Sequence, residues 1–410
     1  MNLYIFSETR RGAVYGIGTY IRELTDALKK TDINIYVIHL MSETPYIQQE
    51  ETDGVNQWYF PAPVLEQRSI DSREYRILYQ RNVVYLLQLY IKNREGLIFH
   101  LNFPQSESLA EALKGVFDCK VVSVVHFSEW GFTVFDNPQR LRNILREENS
   151  NDFGENVKKT FEEEKSYYSK VDHCICLSNY MQEILCEDYE IHPAKISIIP
   201  NGLSDAAETS TNIDLLKQKW NILSGEKIIL FAGRLDEIKG LSYLIKAFKH
   251  VLSVSPQSRL VIAGAGDFSK YTKESQDICT KISYTGLLDK PQLYEWYRMA
   301  DVGVVPSLFE PFGLVAVEMM MHRLPMVVTA TSGMNEVVDD SSALKVPLIV
   351  CSDHVEIDTS LLTRQIVYLL QHPAEAKRLG KNARKRYLAI YTSCIFGENM
   401  TTLYKSLYDE

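Results

Sequence analysis

"ILFAGRLDEIKGLSYLIKAF", residues 229–248, is the stretch whose reading decides the fold. A short apolar β-prone run stops at Ala232 and Gly233, a charged turn follows, and a helical pattern then begins. The same order recurs downstream, with the runs "RLVIAGAG" (259–266), "KISYTG" (281–286), "VGVVPS" (302–307) and "PMVVTA" (325–330) each entering a Gly or Ser turn. Strand, turn and helix in this alternation are the sequence form of βαβ units around a parallel sheet, whose ligands gather at the carboxyl ends of the strands.

Upstream, "NLYIF", "INIYVIHL", "GLIFHLNF", "KVVSVVHF", "HCICLS" and "KISIIP" repeat the pattern, with a helix over 18–30 carrying Ile21, Leu24 and Leu28 at helical spacing. A chain of 410 residues is too long for one compact core and suits two domains. The pattern lapses in "AAETSTN" (206–212), just after "IIPNGLSD". The expected division is therefore 1–202 and 203–389, two Rossmann-like doubly wound α/β domains with a working cleft between them. A terminal helix of about 390–410 is long enough to cross back onto the first domain.

Composition narrows the function classes. The chain is 45% hydrophobic and 24% charged, which suits a globular protein, and its net charge of −9 argues against a nucleic-acid partner bound through its phosphates. The seven cysteines are scattered and odd in number, reading as reduced thiols of a cytoplasmic protein. The start lacks the pattern of a signal peptide, and no window reaches the ~18 apolar residues of a membrane span. The stretch 73–94 reads as a packed helix with a solvated basic edge, or alternatively as a peripheral contact with the inner face of a membrane.

Arg234 and Lys239, five residues apart beyond a strand that ends in glycine, suit a diphosphate, although each alone reads as a solvated surface charge. A second motif supports them. In "FEPFGLVAVE" (309–318), Pro311 belongs to a loop or first turn, and the free amides of 312–315 form an anion site at a helix N-terminus. Glu310 and Glu318 lie about 12 Å apart along that chain, too far to share one small group. They bracket an extended ligand instead, such as a nucleotide sugar with hydroxyls at both ends and a diphosphate between. Glu310 alone also reads as a favourable charge near a helix start, and His126 alone as a structural histidine. No cluster of His, Cys or Asp at ligand spacing points to a metal.

The stretches "FAGRLDEIKG", "LVIAGAGD", "ISYTGLLDKPQLYEWYRMADVGVVPSLFEPFGLVAVEMM" and "GMNEVV", in that order, resemble the retaining family 4 glycosyltransferases of GT-B fold. "GIGTYIREL", "VVHFSEW", "CICLSNY" and "IPNGL" extend the resemblance more weakly into the first half. It implies a donor that is a UDP- or GDP-linked sugar, no cofactor or obligatory metal, and a glycan, lipid-linked or peptide acceptor. Arg234 and Lys239 would hold the diphosphate with Gly233 and the amides of Phe312, Gly313 and Leu314. Glu310 would bind the transferred sugar and Glu318 the ribose. Leu288 would present backbone to the base, Gly16 and Gly18 would lie in a loop facing phosphates or acceptor, and His126 would stand near the anomeric carbon. The departure is Arg323, in "MMMHRLP", where the family turns on glycine, and a rearranged loop is expected there.

The rival enzyme readings are a GT-B epimerase or a sugar phosphorylase, and the non-enzyme reading is a catalytically silent GT-B partner protein. A nicotinamide dehydrogenase fits poorly, because "GAGDFS" ends in Ser269 and no acid follows at the ribose distance.

Overall fold

The computed structural model describes residues 1–8, 16–63, 72–104, 106–135, 137–148, 151–207 and 212–409. The chain forms two compact units. One comprises Met1–Ser128, Asn151–Ser204 and Ser393–Glu410, and the other Glu129–Ser150 and Asp205–Thr392.

The first unit is built on strands β1 (Asn2–Glu8), β2 (Asn34–Ser42), β3 (Gln48–Thr52), β4 (Val55–Pro61), β5 (Leu97–Leu101), β6 (Cys119–Val125), β7 (His173–Cys176) and β8 (Ile196–Ile198). They lie in the order β3-β4-β2-β1-β5-β6-β7-β8, and among the described residues of this sheet only the β3–β4 hairpin pairs antiparallel. β5 and β7 are buried along their whole length, as strands covered on both faces must be. The C-terminal helix Ser393–Asp409 packs on the helix Gly16–Leu28 of this unit, so closely that a Cβ on Gly397 would lie 2.7 Å from Ala27 Cβ.

The second unit holds β9 (Lys227–Ala232), β10 (Ser258–Ala263), β11 (Ile282–Gly286), β12 (Val302–Val305), β13 (Met326–Ala330), β14 (Leu344–Val350) and β15 (Val355–Ile357), in the order β11-β10-β9-β12-β13-β14-β15. β9 pairs with β10 on one side and with β12 on the other. The strand order reverses between β9 and β12, and a crevice opens at the carboxyl ends of the strands at such a switch point. The turns that leave β9 and β12 carry Arg234 and Lys239, and Glu310, respectively.

Two sequence expectations need correction. Gly16 and Gly18 occupy the first turn of the helix Gly16–Leu28 rather than a loop: the buried face from Thr19 to Leu28 carries the helix, and its exposed start accommodates glycine. The loop just before it, 9–15, lies outside the described residues.

Nor is the turn at Arg323 rearranged. Arg323 N–H donates to Met320 O at 3.1 Å and Leu324 N–H to Met319 O at 3.0 Å, the paired bonds that close a helix on a left-handed residue. Arg323 itself adopts that conformation, with φ +61. The backbone keeps the glycine geometry and a solvent-exposed arginine takes the strain. Arg323→Gly should therefore raise unfolding stability by about 1 kcal/mol. A urea midpoint that stays put or falls would contradict this.

Candidate active site

Tight packing between the two turns brings Lys239 and Glu310 together. Lys239 ends a short 3-10 turn, Glu237–Lys239, closed by Gly240 in the left-handed conformation at φ +67. Ile238 O accepts from Leu308 N–H at 2.7 Å, fixing that turn to the loop beyond β12. Lys239 Nζ then reaches Glu310 Oε2 at 2.7 Å, with side chains 19% and 16% exposed. Ser307 Oγ donates to the same carboxylate oxygen at 3.2 Å.

The loop after β13 holds the Glu310 main chain. Ser332 Oγ donates to Glu310 O at 3.1 Å, and Met334 N–H donates to it at 3.2 Å. The acid is thus positioned from three strand ends.

Helix Leu314–Met321 starts immediately afterwards, capped by Gly313 at φ +97. That positive φ favours glycine, and a Cβ there would lie 2.3 Å from Met334 Cε, so the methionine side chain would have to move aside. The amides of Leu314 and Val315 precede any intrahelical acceptor, leaving donors at the helix start as the sequence suggested. Phe312 is buried, its ring edge-on to Tyr391 at 5.9 Å. Arg234 is more open and pairs with Asp236 at 3.0 Å. Gly233 N–H donates to Ala263 O at 3.0 Å, which ties the end of β9 to that of β10.

Glu318, the fifth residue of that helix, is only 1% exposed. Lys290 Nζ pairs with its Oε1, and Tyr297 OH donates to its Oε2 at 2.8 Å. Burial, and then the Glu318 charge, push the Tyr297 hydroxyl well above its usual range, so it stays a donor. The two glutamates have separate partners. Leu288 is half-buried in the loop between β11 and the helix Lys290–Met299.

Sequence reading gave Lys290, Tyr297, Ser307 and Ser332 no role. A signal existed for two of them, since Lys290 and Tyr297 are seven apart on one helix and share a face. Tyr297→Phe, which leaves Oε2 of a buried carboxylate without its hydroxyl, should cost about 2 kcal/mol of stability. Thermal unfolding of the purified variant checks this, and an unshifted Tm would refute the assignment.

In the first unit His126 follows β6, half-buried, with Nε2 2.9 Å from Asn102 Oδ1 and the Tyr20 ring edge-on at 4.7 Å. Burial, reinforced by His100, holds the imidazole down at about 3, so it is neutral. Among the described residues no group of three or more His, Cys, Asp or Glu is placed to hold a metal ion.

The profile of glycosyl transferases group 1 matches residues 212–386, and that of glycosyltransferase family 4 matches 14–206. The chain belongs to the family 4, group 1 glycosyltransferases. An uncharacterised glycosyltransferase of Methanocaldococcus jannaschii is 33% identical over 185 residues, 42% of this chain and 46% of that protein. Mannosylfructose-phosphate synthase of Agrobacterium fabrum is 28% identical over 193 residues, 44% of this chain and 42% of that protein. The alignments therefore span less than half the length of these relatives.

Among solved structures, sucrose-phosphate synthase from Thermosynechococcus elongatus superposes with a TM-score of 0.79 at 22% identity, covering 100% of this chain and 99% of that one. Anabaena HepE in complex with UDP-glucose gives 0.72 at 14% identity, covering 99% and 100%. Likeness at such identity speaks for the fold, which for this family member is GT-B.

Proposed function

We propose that the chain transfers a sugar from a UDP- or GDP-linked donor to a hydroxyl of a glycan, lipid-linked or peptide acceptor, with retention of anomeric configuration and without an obligatory metal. The observation that carries this reading is the Lys239–Glu310 pair beside the Gly313-capped helix start, at the switch point of the second sheet. A cation, helix amides and a sugar-binding carboxylate are what departure of a nucleoside diphosphate from an anomeric carbon calls for. The solved complex of HepE with UDP-glucose, a fold relative, lends the donor class support.

Donor binding replaces the internal pair: phosphate oxygens take Lys239, and a sugar hydroxyl takes the released oxygen of Glu310. Arg234 and the amides of Leu314 and Val315 share the diphosphate charge, while Glu318 accepts from the ribose hydroxyls once Lys290 gives way. The bond between the anomeric carbon and the diphosphate oxygen breaks, with the electron pair leaving on the phosphate. The acceptor oxygen bonds to the same face of that carbon, and its proton passes to the departing phosphate. The charge carriers named here suffice for that step without a metal.

Proton NMR of the product formed in the presence of a chelator tests the reading. The donor's anomeric configuration in a new glycoside is the expected result. An inverted anomer, a free sugar phosphate or an epimerised nucleotide sugar would replace it with another chemistry.

A further inference from the structure

Asn102 follows β5 and His126 follows β6, and these strands are parallel neighbours, so the two side chains meet at the carboxyl end of the sheet. Asn102 Nδ2 donates to Phe6 O at 3.0 Å. A main-chain carbonyl can only accept, so the atom facing it must be the amide nitrogen, which removes the usual flip ambiguity of asparagine. Its other end, Oδ1, faces His126 Nε2 at 2.9 Å. An amide oxygen also only accepts, so the hydrogen of the neutral ring sits on Nε2. Nδ1 is then a bare acceptor, and it has no hydrogen-bond partner among the described residues.

The surroundings hold this arrangement. Tyr20 stands edge-on to the His126 ring, and its hydroxyl lies 3.3 Å from His100 Nε2. Tyr404 OH reaches His100 Nδ1 at 2.8 Å, so the C-terminal helix completes the shell in this unit. Among the described residues of this unit, Tyr20, His100 and Asn102 face His126.

We propose that Asn102 is a positioning residue that locks His126 as its Nε2–H tautomer, so that Nδ1 accepts a hydrogen bond from a substrate hydroxyl. This rests on the transfer reading and on the family resemblance that sets His126 near the anomeric carbon. It also deepens that reading: so weakly basic a ring orients a hydroxyl without keeping its proton, which matches a proton leaving on phosphate.

Two measurements on the full chain test it. Long-range nitrogen–proton correlation spectra of histidine-labelled protein, with the His126 signals assigned by loss in His126→Gln, should show Nε2 protonated and Nδ1 bare at neutral pH. An Nδ1–H ring or an even tautomer mixture would overturn the lock, whatever the activity. In kinetics, Asn102→Leu should lower kcat at least about tenfold while donor KM changes by less than about twofold. Asn102→Asp, whose carboxylate favours the imidazolium, should give a kcat that falls with acidity and recovers partly as pH rises. A folded Asn102→Leu enzyme with unchanged kcat would also overturn the proposal. If the spectra show Nε2–H but no nucleotide sugar is turned over, the tautomer lock stands and the transfer reading falls.

Discussion

Lys239→Ala is expected to lower donor turnover by about a hundredfold to a thousandfold, the loss typical when one preorganised donor to a developing anion is removed. Lys239 is the more enclosed of the two candidate cations, its side chain 19% exposed against 44% for Arg234. Its charge therefore acts in a less screened setting. The substitution also strips Glu310 of its 2.7 Å partner, leaving a carboxylate held by Ser307 alone at the side-chain level. Arg234→Ala should cost less, about tenfold, because half of that side chain already faces water. Steady-state kinetics on both variants, with circular dichroism as a check of folding, gives the comparison. Equal losses, or a Lys239→Ala enzyme within about threefold of wild type, would remove Lys239 from the mechanism.

The second large effect concerns the backbone that brings this pair together. Gly240→Ala should destabilise the second unit by about 4 kcal/mol, in the range that marks a named structural fault rather than ordinary loss of contacts. Two causes add. The residue sits at φ +67, and the new Cβ would lie 1.8 Å from Pro306 O and 3.1 Å from Ile357 Cδ1. The first of these is backbone and cannot swing aside, so the loop after β12 must move. That loop carries the Leu308 N–H that fixes the Lys239 turn, and it leads on to Glu310. The variant should therefore lose donor affinity as well as stability. Denaturant unfolding would show a lowered midpoint, and a loss below about 1 kcal/mol would mean that the contact relaxes freely.

How much of this was legible in the sequence depends on where the information lies. The central strands were readable because β9 and β12, buried on both sides, are short continuous apolar runs that stop at Gly or Pro. The edges were not. β3 is "QQEET", polar and mostly exposed, and it exists only as the hairpin partner of β4. β14 contains Pro347 and β15 is three residues long, so neither presents a clear alternation. The helices Glu129–Val134 and Pro138–Arg146 group with the second unit, a placement with no local signature.

The site divides in the same way. Arg234, Lys239, Glu310 and Glu318 stood out because charges beside strand-ending glycines and a helix start are unusual locally. Ser332, Tyr297 and Asn102 were silent because each acts through a partner at least 21 residues away in another turn, strand or helix, and Ser307 because a serine three residues from Glu310 in the same loop carries no local sign of its role. Arg323 shows a third case: its side chain departs from the family, while its backbone at φ +61 does not.

The central claim is that the second unit's switch point binds and activates a nucleotide sugar. A panel of UDP- and GDP-linked sugars, followed by release of the nucleoside diphosphate with wild type, Lys239→Ala and Glu310→Ala in parallel, tests it most directly. The account expects at least one donor to be turned over by the wild type and both variants to lose that turnover. Release by none of the donors, or release undiminished in both variants, would contradict it.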